Sequence, residues 1–251
     1  MEHQISRIRH ELRRRRLIVR EIINVTPGMR RIVLEGAELE GFLSAAPDDH
    51  IKIFIPGKEG EEGGELERRD YTPRRYDEAA GTLALDFAIH EAGPATRWAL
   101  GAQPGDELQI AGPRGSVVIP SSFAWWLLIG DEAALPAIGR WVEELQAGMR
   151  VMTLAAVVGA EEEQSFETAA DHSAYWIHRP SDRADDPGPL LDALNGIELP
   201  AGDGFVFIGA EAKVARALKA RLLERGQRAD WMRASGYWMK GVADAHEKIE
   251  G

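Results

Sequence analysis

The pattern of apolar residues changes near residue 120, and this change constrains the fold more than any single motif. Before it, short stretches rich in Val, Ile and Leu, such as "RLIVREIINV", "HIKIFIP" and "TLALDFAIH", are separated by Gly, Pro and Asp. Short, often alternating apolar runs of this kind predict antiparallel strands. One helix interrupts them, because "GPATRWALGA" places a proline at the first helical position. The first half is therefore predicted to form a six-stranded antiparallel β-barrel.

After the change, strand patterns alternate with helix patterns. "FAWWLLIG" is a near-continuous apolar run, as expected of a strand covered on both faces, and the amphipathic "DEAALPAIGRWVEELQAG" follows it. The alternation continues through "RVMTLAAVVGA", "SAYWIHR", "GPLLDALNG", "GFVFIGA" and "AKVARALKARLLERG". Such alternation predicts a doubly wound parallel sheet. We therefore expect a barrel domain at residues 1–120 and an α/β domain with a C-terminal tail at residues 121–251.

Composition excludes several classes of protein. The 251 residues include no cysteine, which excludes disulfides, thiolate catalysis and cysteine-held clusters. No stretch approaches the roughly 20 apolar residues of a membrane span, and the first residues do not read as a secretory leader. A net charge of −11 argues against general nucleic-acid binding, and the seven histidines show no metal-ligand spacing. We expect a cytoplasmic protein with no nucleic-acid or membrane partner and no metal site of its own.

The segment "RDYT" combines three groups that suit a flavin with its pyrophosphate. Arg69 and Tyr71 share a strand face because side chains alternate along a strand, while Thr72 points to the other face. A guanidinium can pair bidentately with phosphate oxygens, a phenol ring can stack on a flat heterocycle, and a hydroxyl can donate to a ring nitrogen. The alternative is an ordinary exposed strand with solvated side chains, and the segment alone fits both.

A second segment, "DFAIHEAGPATRWA", runs from a strand into the start of a helix at Gly93 and Pro94. Free backbone N–H groups and the positive end of the helix dipole make such a start a natural anion site, and Thr96 adds a hydroxyl. A plain strand-to-helix turn is the alternative. The two segments together, in this order, are much less expected by chance than either alone.

A third segment, "IGDEAALPAIGRW", stands where a dinucleotide-binding fold places its glycine-rich loop, but G-x-G-x-x-G is absent. Asp131 and Glu132 at the helix start would repel a pyrophosphate, so a nicotinamide nucleotide is expected to bind weakly. Glu161, Glu162 and Glu163 follow the second strand of this half. A carboxylate there can accept from a ribose 2′-hydroxyl and repels a 2′-phosphate, which favours NADH. A solvated acidic loop is the alternative.

Six motifs occur in order along nearly the whole chain: "RDYTPRR", "LDFAIHEAGPATRWA", "PGDELQIAGPRGS", "GDEAALPAI", "GAEA" and "GYWMKG". In combination they resemble the siderophore-interacting protein family, FAD-dependent ferric reductases of the ferredoxin-reductase-like superfamily. The resemblance implies an enzyme that passes electrons from NADH or NADPH through FAD to iron(III) in an anionic siderophore, releasing ferrous iron. A flavin suits this task because a hydride carries two electrons and a ferric ion accepts one.

The resemblance also implies roles for matching residues. Arg69 would contact the pyrophosphate, Tyr71 would lie along the ribityl chain and ring, and Thr72 would lie near the reactive ring nitrogen, which makes Tyr71 and Thr72 the catalytic pair. The other cofactor contacts would be His90, Gly93, Pro94, Ala95, Thr96, Gly130, Asp131, Glu132, Glu211 and Trp238.

Basic residues near the flavin bind the anionic siderophore in the family, and Lys52 and Arg114 stand at matching positions. The C-terminal motif departs from the family pattern, because Met239 replaces an arginine; Lys240 is then the expected third contact. Ala133 replaces the threonine of Gly-Asp-Glu-Thr and removes a hydroxyl near the implied nicotinamide path. Both departures imply weaker or altered substrate handling.

Two other functions stay open at this stage. One is a flavin reductase for a protein electron carrier, which the acidic balance disfavours. The other is a siderophore-binding iron-release module with little hydride transfer, a reading that Ala133 and Met239 leave open. Hydrolase chemistry has little support without a G-x-S-x-G motif. The sequence leaves open the siderophore, the electron donor and the oligomeric state, with a monomer as the working expectation.

Overall fold

The structure is a computed structural model, and it describes residues 3–55, 66–89, 93–242 and 247–249. The chain divides into two compact units, residues 4–119 and residues 1–3 with 120–251. His90, an implied cofactor contact, lies outside the described residues. Within the described part of the chain, no helix is long and apolar enough to cross a membrane.

The first unit is an antiparallel β structure with one helix. Seven strands form one sheet in the order β5-β4-β8-β2-β3-β7-β6, and β1 pairs separately with β9. The predicted fold class is confirmed, but the predicted count of six strands was wrong. The elements are β1 (Ser6–Arg9), β2 (Arg14–Thr26), β3 (Met29–Glu35), β4 (Ile51–Ile55), β5 (Glu67–Tyr71), β6 (Pro73–Asp77), β7 (Thr82–Ala88), α1 (Pro94–Gly101), β8 (Glu107–Ala111) and β9 (Gly115–Val118).

The count differs because "RDYTPRRY" contributes to two strands rather than one. β5 pairs with β4 and β6 pairs with β7, so the two strands stand at opposite ends of the sheet order. Thr72 is the only residue between them. Two extended residue steps span at most about 7 Å, so the two ends of the sheet must lie close together. The sheet is therefore curved until its ends meet at Thr72.

The core of the first unit follows from side-chain alternation. In β2, Leu17 and Val19 are buried while Arg14 and Arg16 are exposed. Ile51 and Ile53 occupy the inward face of β4 in the same way. Each such side chain removed from water contributes about 1.5–3 kcal/mol, which sets the register of each strand.

The second unit is a doubly wound α/β sheet. Five parallel strands run in the order β12-β11-β10-β13-β14, with β15 antiparallel at the edge. The order reverses between β10 and β13, and ligands of such sheets bind beyond the carboxyl ends of the strands at that point. The elements are β10 (Trp125–Gly130), α2 (Leu135–Glu144), β11 (Arg150–Val157), β12 (Asp171–His178), α3 (Gly188–Gly196), β13 (Gly204–Glu211), α4 (Ala212–Glu224), β14 (Met232–Trp238) and β15 (Glu247–Lys248).

Strands β10 and β13 approach each other closely at their carboxyl ends. Gly130 pairs with Gly209 in the parallel register. A Cβ atom on Gly130 would lie 2.6 Å from the Gly209 carbonyl oxygen and 2.7 Å from the Ala134 Cβ, so only glycine fits. Helix α2 begins at Leu135, later than the sequence predicts, because the residues after Gly130 form a turn in which the Ala134 N–H donates to the Asp131 carbonyl.

Candidate active site

Arg69 and Tyr71 lie on the face of β5 that is turned toward the barrel core. The register places Tyr71 opposite Ile51 and Arg69 opposite Ile53, two fully buried side chains. The prediction that they share a face is confirmed. The Tyr71 ring lies 4.4 Å from that of Phe87, centroid to centroid, and burial raises the pKa of the Tyr71 phenol above its ordinary value. Tyr71 is therefore a neutral donor and acceptor at neutral pH.

The Arg69 guanidinium is held by its own strand. Nη2 donates to Glu67 Oε2 and Nη1 donates to the Arg68 carbonyl, each at 2.7 Å. These two bonds use two of its five N–H donors. The side chain is 20% exposed, and three of its donors are not used by these two bonds.

Among the residues that the structure describes, no side chain caps the N-terminus of helix α1. Gly93 is the N-cap residue in an extended conformation with no side-chain cap bond, and Pro94 is the first helical residue. The first helical bond runs from the Arg97 N–H to the Gly93 carbonyl. The Ala95 and Thr96 amides precede that bond, so they are the donors that a helix start offers to an anion.

The two predicted segments of the barrel are connected by a row of aromatic rings. Phe87 on β7 contacts Tyr71 on one side and Trp98 of helix α1 on the other, with a centroid distance of 5.6 Å to Trp98. Thr72, 8% exposed, follows Tyr71 directly. A guanidinium, a buried hydroxyl and an uncapped helix start are the donors that a pyrophosphate and a flavin ring require, so these residues fit FAD.

Lys52 lies on the other face of β4. Its ammonium donates to Asp70 Oδ2 at 2.7 Å, and Asp70 is the residue opposite it on β5. The second carboxylate oxygen of Asp70, Oδ1, is buried without a hydrogen bond from the described residues. Sequence reasoning missed Asp70, although it stands inside the "RDYT" motif. The predicted substrate contact is thus already half of an ion pair.

Arg114 is exposed and lies three residues beyond the end of β8, where Ala111 pairs with Lys52. Its carbonyl accepts a hydrogen bond from the His10 N–H at 3.0 Å. The next buried residue, Ser116, donates to Asp49 Oδ2 at 2.6 Å. The structure therefore anchors the backbone of this turn while the guanidinium of Arg114 faces solvent.

In the second unit, three of the implied contacts, Asp131, Glu211 and Trp238, meet at the carboxyl end of β10. Asp131 Oδ2 accepts from the Trp238 indole nitrogen at 2.8 Å and from the Glu211 N–H at 2.9 Å, and Oδ1 accepts from the Ala133 N–H at 3.0 Å. The Asp131 side chain is buried. The motifs "GDE", "GAE" and "YWMKG", far apart in sequence, thus form one hydrogen-bond network.

Glu132 makes an ion pair that the sequence did not indicate. Arg179 donates to it from both terminal nitrogens, at 2.7 Å from Nη2 to Oε2 and 3.3 Å from Nη1 to Oε1. Arg179 is 4% exposed and directly follows β12. The available signal was an arginine directly after the carboxyl end of a parallel edge strand, in "WIHRP". This pair neutralises the carboxylate that was expected to repel a pyrophosphate.

Glu211 caps helix α4. Its Oε2 accepts from the Lys213 and Val214 amides at 2.6 and 3.2 Å, and its Oε1 accepts from the Lys240 amide at 3.4 Å. The Lys240 ammonium donates to the Asp182 carbonyl and to Asp185 Oδ1, both at 2.6 Å. The hydrogen bond from Lys240 lowers the pKa of Asp185. Lys240 is therefore held on an acidic turn, so binding a chelate would require it to leave that turn.

The three glutamates expected to favour NADH have different environments. Glu162 is 6% exposed, and Glu163 Oε1 lies 2.8 Å from His178 Nε2. The interpretation as a solvated acidic loop is therefore wrong for Glu162. Within the described residues, no group of three or more His, Asp or Glu side chains could hold a metal ion.

Both halves of the chain match known family models. The model described as a siderophore-interacting FAD-binding domain matches residues 18–117, and the siderophore-interacting protein model matches residues 123–241. The NADPH-dependent ferric-chelate reductase of Escherichia coli (strain K12) is 35% identical over 250 residues, covering 93% of this chain and 96% of that protein. The chain belongs to the siderophore-interacting protein family.

Solved structures of this family share the whole fold. A siderophore utilization protein from T. fusca is 35% identical with a TM-score of 0.90, covering 97% of this chain and 98% of its own. The siderophore-interacting protein SipS from Aeromonas hydrophila is 27% identical with a TM-score of 0.78, covering 92% and 93%. The family resemblance read from the motifs is confirmed, and the "RDYT" and "GPAT" segments both lie inside the FAD-binding match.

Proposed function

We propose that this siderophore-interacting protein is an FAD-dependent ferric-siderophore reductase that takes electrons from NADH or NADPH. The observation that carries the proposal is the arrangement of Arg69, Thr72 and the uncapped start of α1 within the FAD-binding match. The relatives named as a ferric-chelate reductase and as siderophore-interacting proteins support the substrate class.

The overall reaction balances one nicotinamide against two iron ions. NAD(P)H gives up a hydride, two ferric chelates each accept one electron, and the products are NAD(P)⁺, a proton and two ferrous ions. Bound FAD supplies the chemistry that joins a two-electron donor to one-electron acceptors. Ferrous iron is held less tightly by hard oxygen ligands, so reduction releases it.

The residues of this chain bind and orient. Arg69 and the Ala95 and Thr96 amides would hold the pyrophosphate, and the Thr72 hydroxyl would donate to the flavin ring. Lys52 and Arg114 would bind the anionic chelate, with Lys240 as the third cation. Local cations are required because a protein with a net charge of −11 does not attract an anion over long distances. At ordinary salt concentrations, interactions between charges more than about 10 Å apart are also largely screened.

The two nicotinamide donors are supported by different observations. Carboxylates at Glu161 and Glu163 would accept from a free 2′-hydroxyl and favour NADH. The Escherichia coli relative is named for NADPH. A comparison of kcat/KM for the two donors decides between them, and a clear preference for NADPH would overturn the assignment to NADH.

The proposal is tested with purified protein under anaerobic conditions. The protein should be yellow, lose its colour with NADH or NADPH, and regain it when a ferric tricatecholate is added, with a ferrous trap recording two iron ions per nicotinamide. Protein that neither contains nor takes up FAD would overturn the proposal.

Two intermediate outcomes would identify the alternative functions. Reduced protein that reoxidises with a protein electron carrier and not with any ferric chelate would indicate a flavin reductase. Yellow protein that binds the chelate but never loses its colour would indicate an iron-release module with another donor. We place the enzyme in the cytoplasm, where NADH and NADPH are supplied. We also propose that it is a monomer, and gel filtration tests this oligomeric state.

A further inference from the structure

Asp131 is the buried centre of the network at the carboxyl end of β10. Its two oxygens accept from three N–H groups that belong to three different parts of the second unit: the turn after β10, the start of α4 and the end of β14. The side chain is 2% exposed. The carboxylate is therefore directed into the protein, where it already accepts hydrogen bonds from protein N–H groups. A carboxylate in this position is unsuited to direct contact with a nucleotide.

The groups around Asp131 favour a hydrogen-bond acceptor at this position. The Glu132 carboxylate repels that of Asp131, and the Arg179 guanidinium that pairs with Glu132 offsets part of this repulsion. Glu211 directs its carboxylate to the α4 amides, so it presents only its backbone N–H to Asp131. Three donors facing one carboxyl group are satisfied by an ionised acid, whereas a protonated acid would place an O–H among them.

Trp238 depends on this acceptor. Its indole N–H is a donor only, and Asp131 Oδ2 is its partner at 2.8 Å. Trp238 is also the last residue of β14, and two residues later the Lys240 amide bonds to Glu211. The orientation of the ring at the end of this strand is thus fixed by a carboxylate from a strand that lies two positions away in the sheet.

We propose that Asp131 is a positioning residue. It holds the Trp238 indole and the adjoining tail in the orientation that is needed when the nicotinamide reacts. Asp131 does not itself contact a cofactor. The kinetic part of this inference rests on the proposed function, since Trp238 is the implied cofactor contact. The link between Asp131 and Trp238 does not.

The link is tested without turnover by the seven indole N–H resonances of the ¹⁵N-labelled FAD-bound protein. The resonance that disappears in Trp238→Phe belongs to Trp238. In Asp131→Asn that resonance should move to the position of a more weakly bonded indole, since the charged acceptor is lost. The control Asp171→Asn replaces an exposed carboxylate in the same sheet and should leave it unchanged. A Trp238 resonance in the wild-type position in Asp131→Asn would overturn the proposal.

The consequence is tested by the rate at which NAD(P)H bleaches the bound FAD. Asp131→Asn and Trp238→Phe should each slow it by roughly tenfold or more, the value of one charge-assisted hydrogen bond, and the double variant should be no slower than either single one. A wild-type rate in Asp131→Asn, or losses that add in the double variant, would mean that Asp131 does not act through Trp238. If Asp131→Asn does not fold, Trp238→Phe removes the same bond from its other end.

The two tests separate the inference from the proposed function. If wild-type protein is never bleached by NADH or NADPH, the proposed function fails while the resonance shift still decides whether Asp131 holds Trp238. If bleaching is fast and the resonance does not move, the positioning role fails and the enzyme assignment stands.

Discussion

The Lys52 ammonium donates to Asp70 Oδ2 across neighbouring strands of the barrel, at 2.7 Å. The side chain of Lys52 is 40% exposed and that of Asp70 is 20% exposed. A partly exposed pair of this kind is worth up to about 1 kcal/mol. If Lys52 binds the anionic chelate as proposed, the chelate would have to compete with Asp70, so this pair would weaken its capture while fixing the position of the ammonium.

Neutralising Asp70 should therefore improve capture of a ferric chelate. We expect Asp70→Asn to lower the KM for a ferric tricatecholate by roughly two- to fivefold, the equivalent of 0.5–1 kcal/mol, and Lys52→Ala to raise it. Both variants should keep their FAD and be bleached by NAD(P)H at the wild-type rate. Arg20→Ala is the matched control, because Arg20 is an exposed cation of the same sheet that pairs with Glu35. Unchanged KM values in both Asp70→Asn and Lys52→Ala would contradict a role for this pair.

Removing the Thr72 hydroxyl should affect the bound flavin without disturbing the barrel. Valine has nearly the same shape, so Thr72→Val should fold and retain FAD, but lose a hydrogen bond to the ring. We expect bleaching by NAD(P)H to slow by about tenfold. Thr82→Val, at the start of β7 in the same sheet, is the control. A Thr72→Val protein with full FAD content and the wild-type rate would show that the hydroxyl is not used.

The close approach of β10 and β13 should make Gly130 intolerant of any side chain. Gly130→Ala places a Cβ against the Gly209 carbonyl and Ala134, and we expect the free energy of unfolding of the second unit to fall by about 1–3 kcal/mol or more. Gly196→Ala is the matched control, because a Cβ there meets nothing within 4 Å. Urea unfolding followed by the fluorescence of the buried tryptophans measures both. Equal stability of the two variants would contradict the packing argument.

Burial of Asp131 should make stability depend on pH. Burial, and secondarily the charge of Glu132, raises the pKa of Asp131 from 3.8 to about 6. The folded state then holds the proton more tightly than the unfolded state. Its stabilising effect is fully present below pH 3.8 and is lost as the pH rises to about 6, a change of roughly 3 kcal/mol.

Asp131→Asn should lack this component, because an amide does not titrate. The difference in the free energy of unfolding between wild type and variant should therefore change with pH over that range and become constant above it. Chemical denaturation at a series of pH values measures the difference. A difference that stays constant throughout would show that Asp131 titrates alike in the folded and unfolded states.

The sequence by itself determined the two-part architecture and most helices and strands. Side-chain periodicity is local, so it gave α3 at Gly188–Gly196 and nearly the full extent of α4 and β13. The motifs identified the family and the residue types that a flavin and an anionic chelate require. Burial of Trp125 and Trp126 also followed from the apolar run that contains them.

Only the tertiary structure decided which of these groups already form hydrogen bonds or ion pairs within the protein. Trp238 and Asp131 are 107 residues apart, Arg179 and Glu132 are 47 apart, and Lys52 and Asp70 are 18 apart. It also decided that "RDYTPRRY" divides at Thr72, because pairing partners at both ends of the sheet select the strand limits. Periodicity reports which face of an element is buried, whereas an ion pair depends on strand order and register, and those are set by the packing of the whole unit.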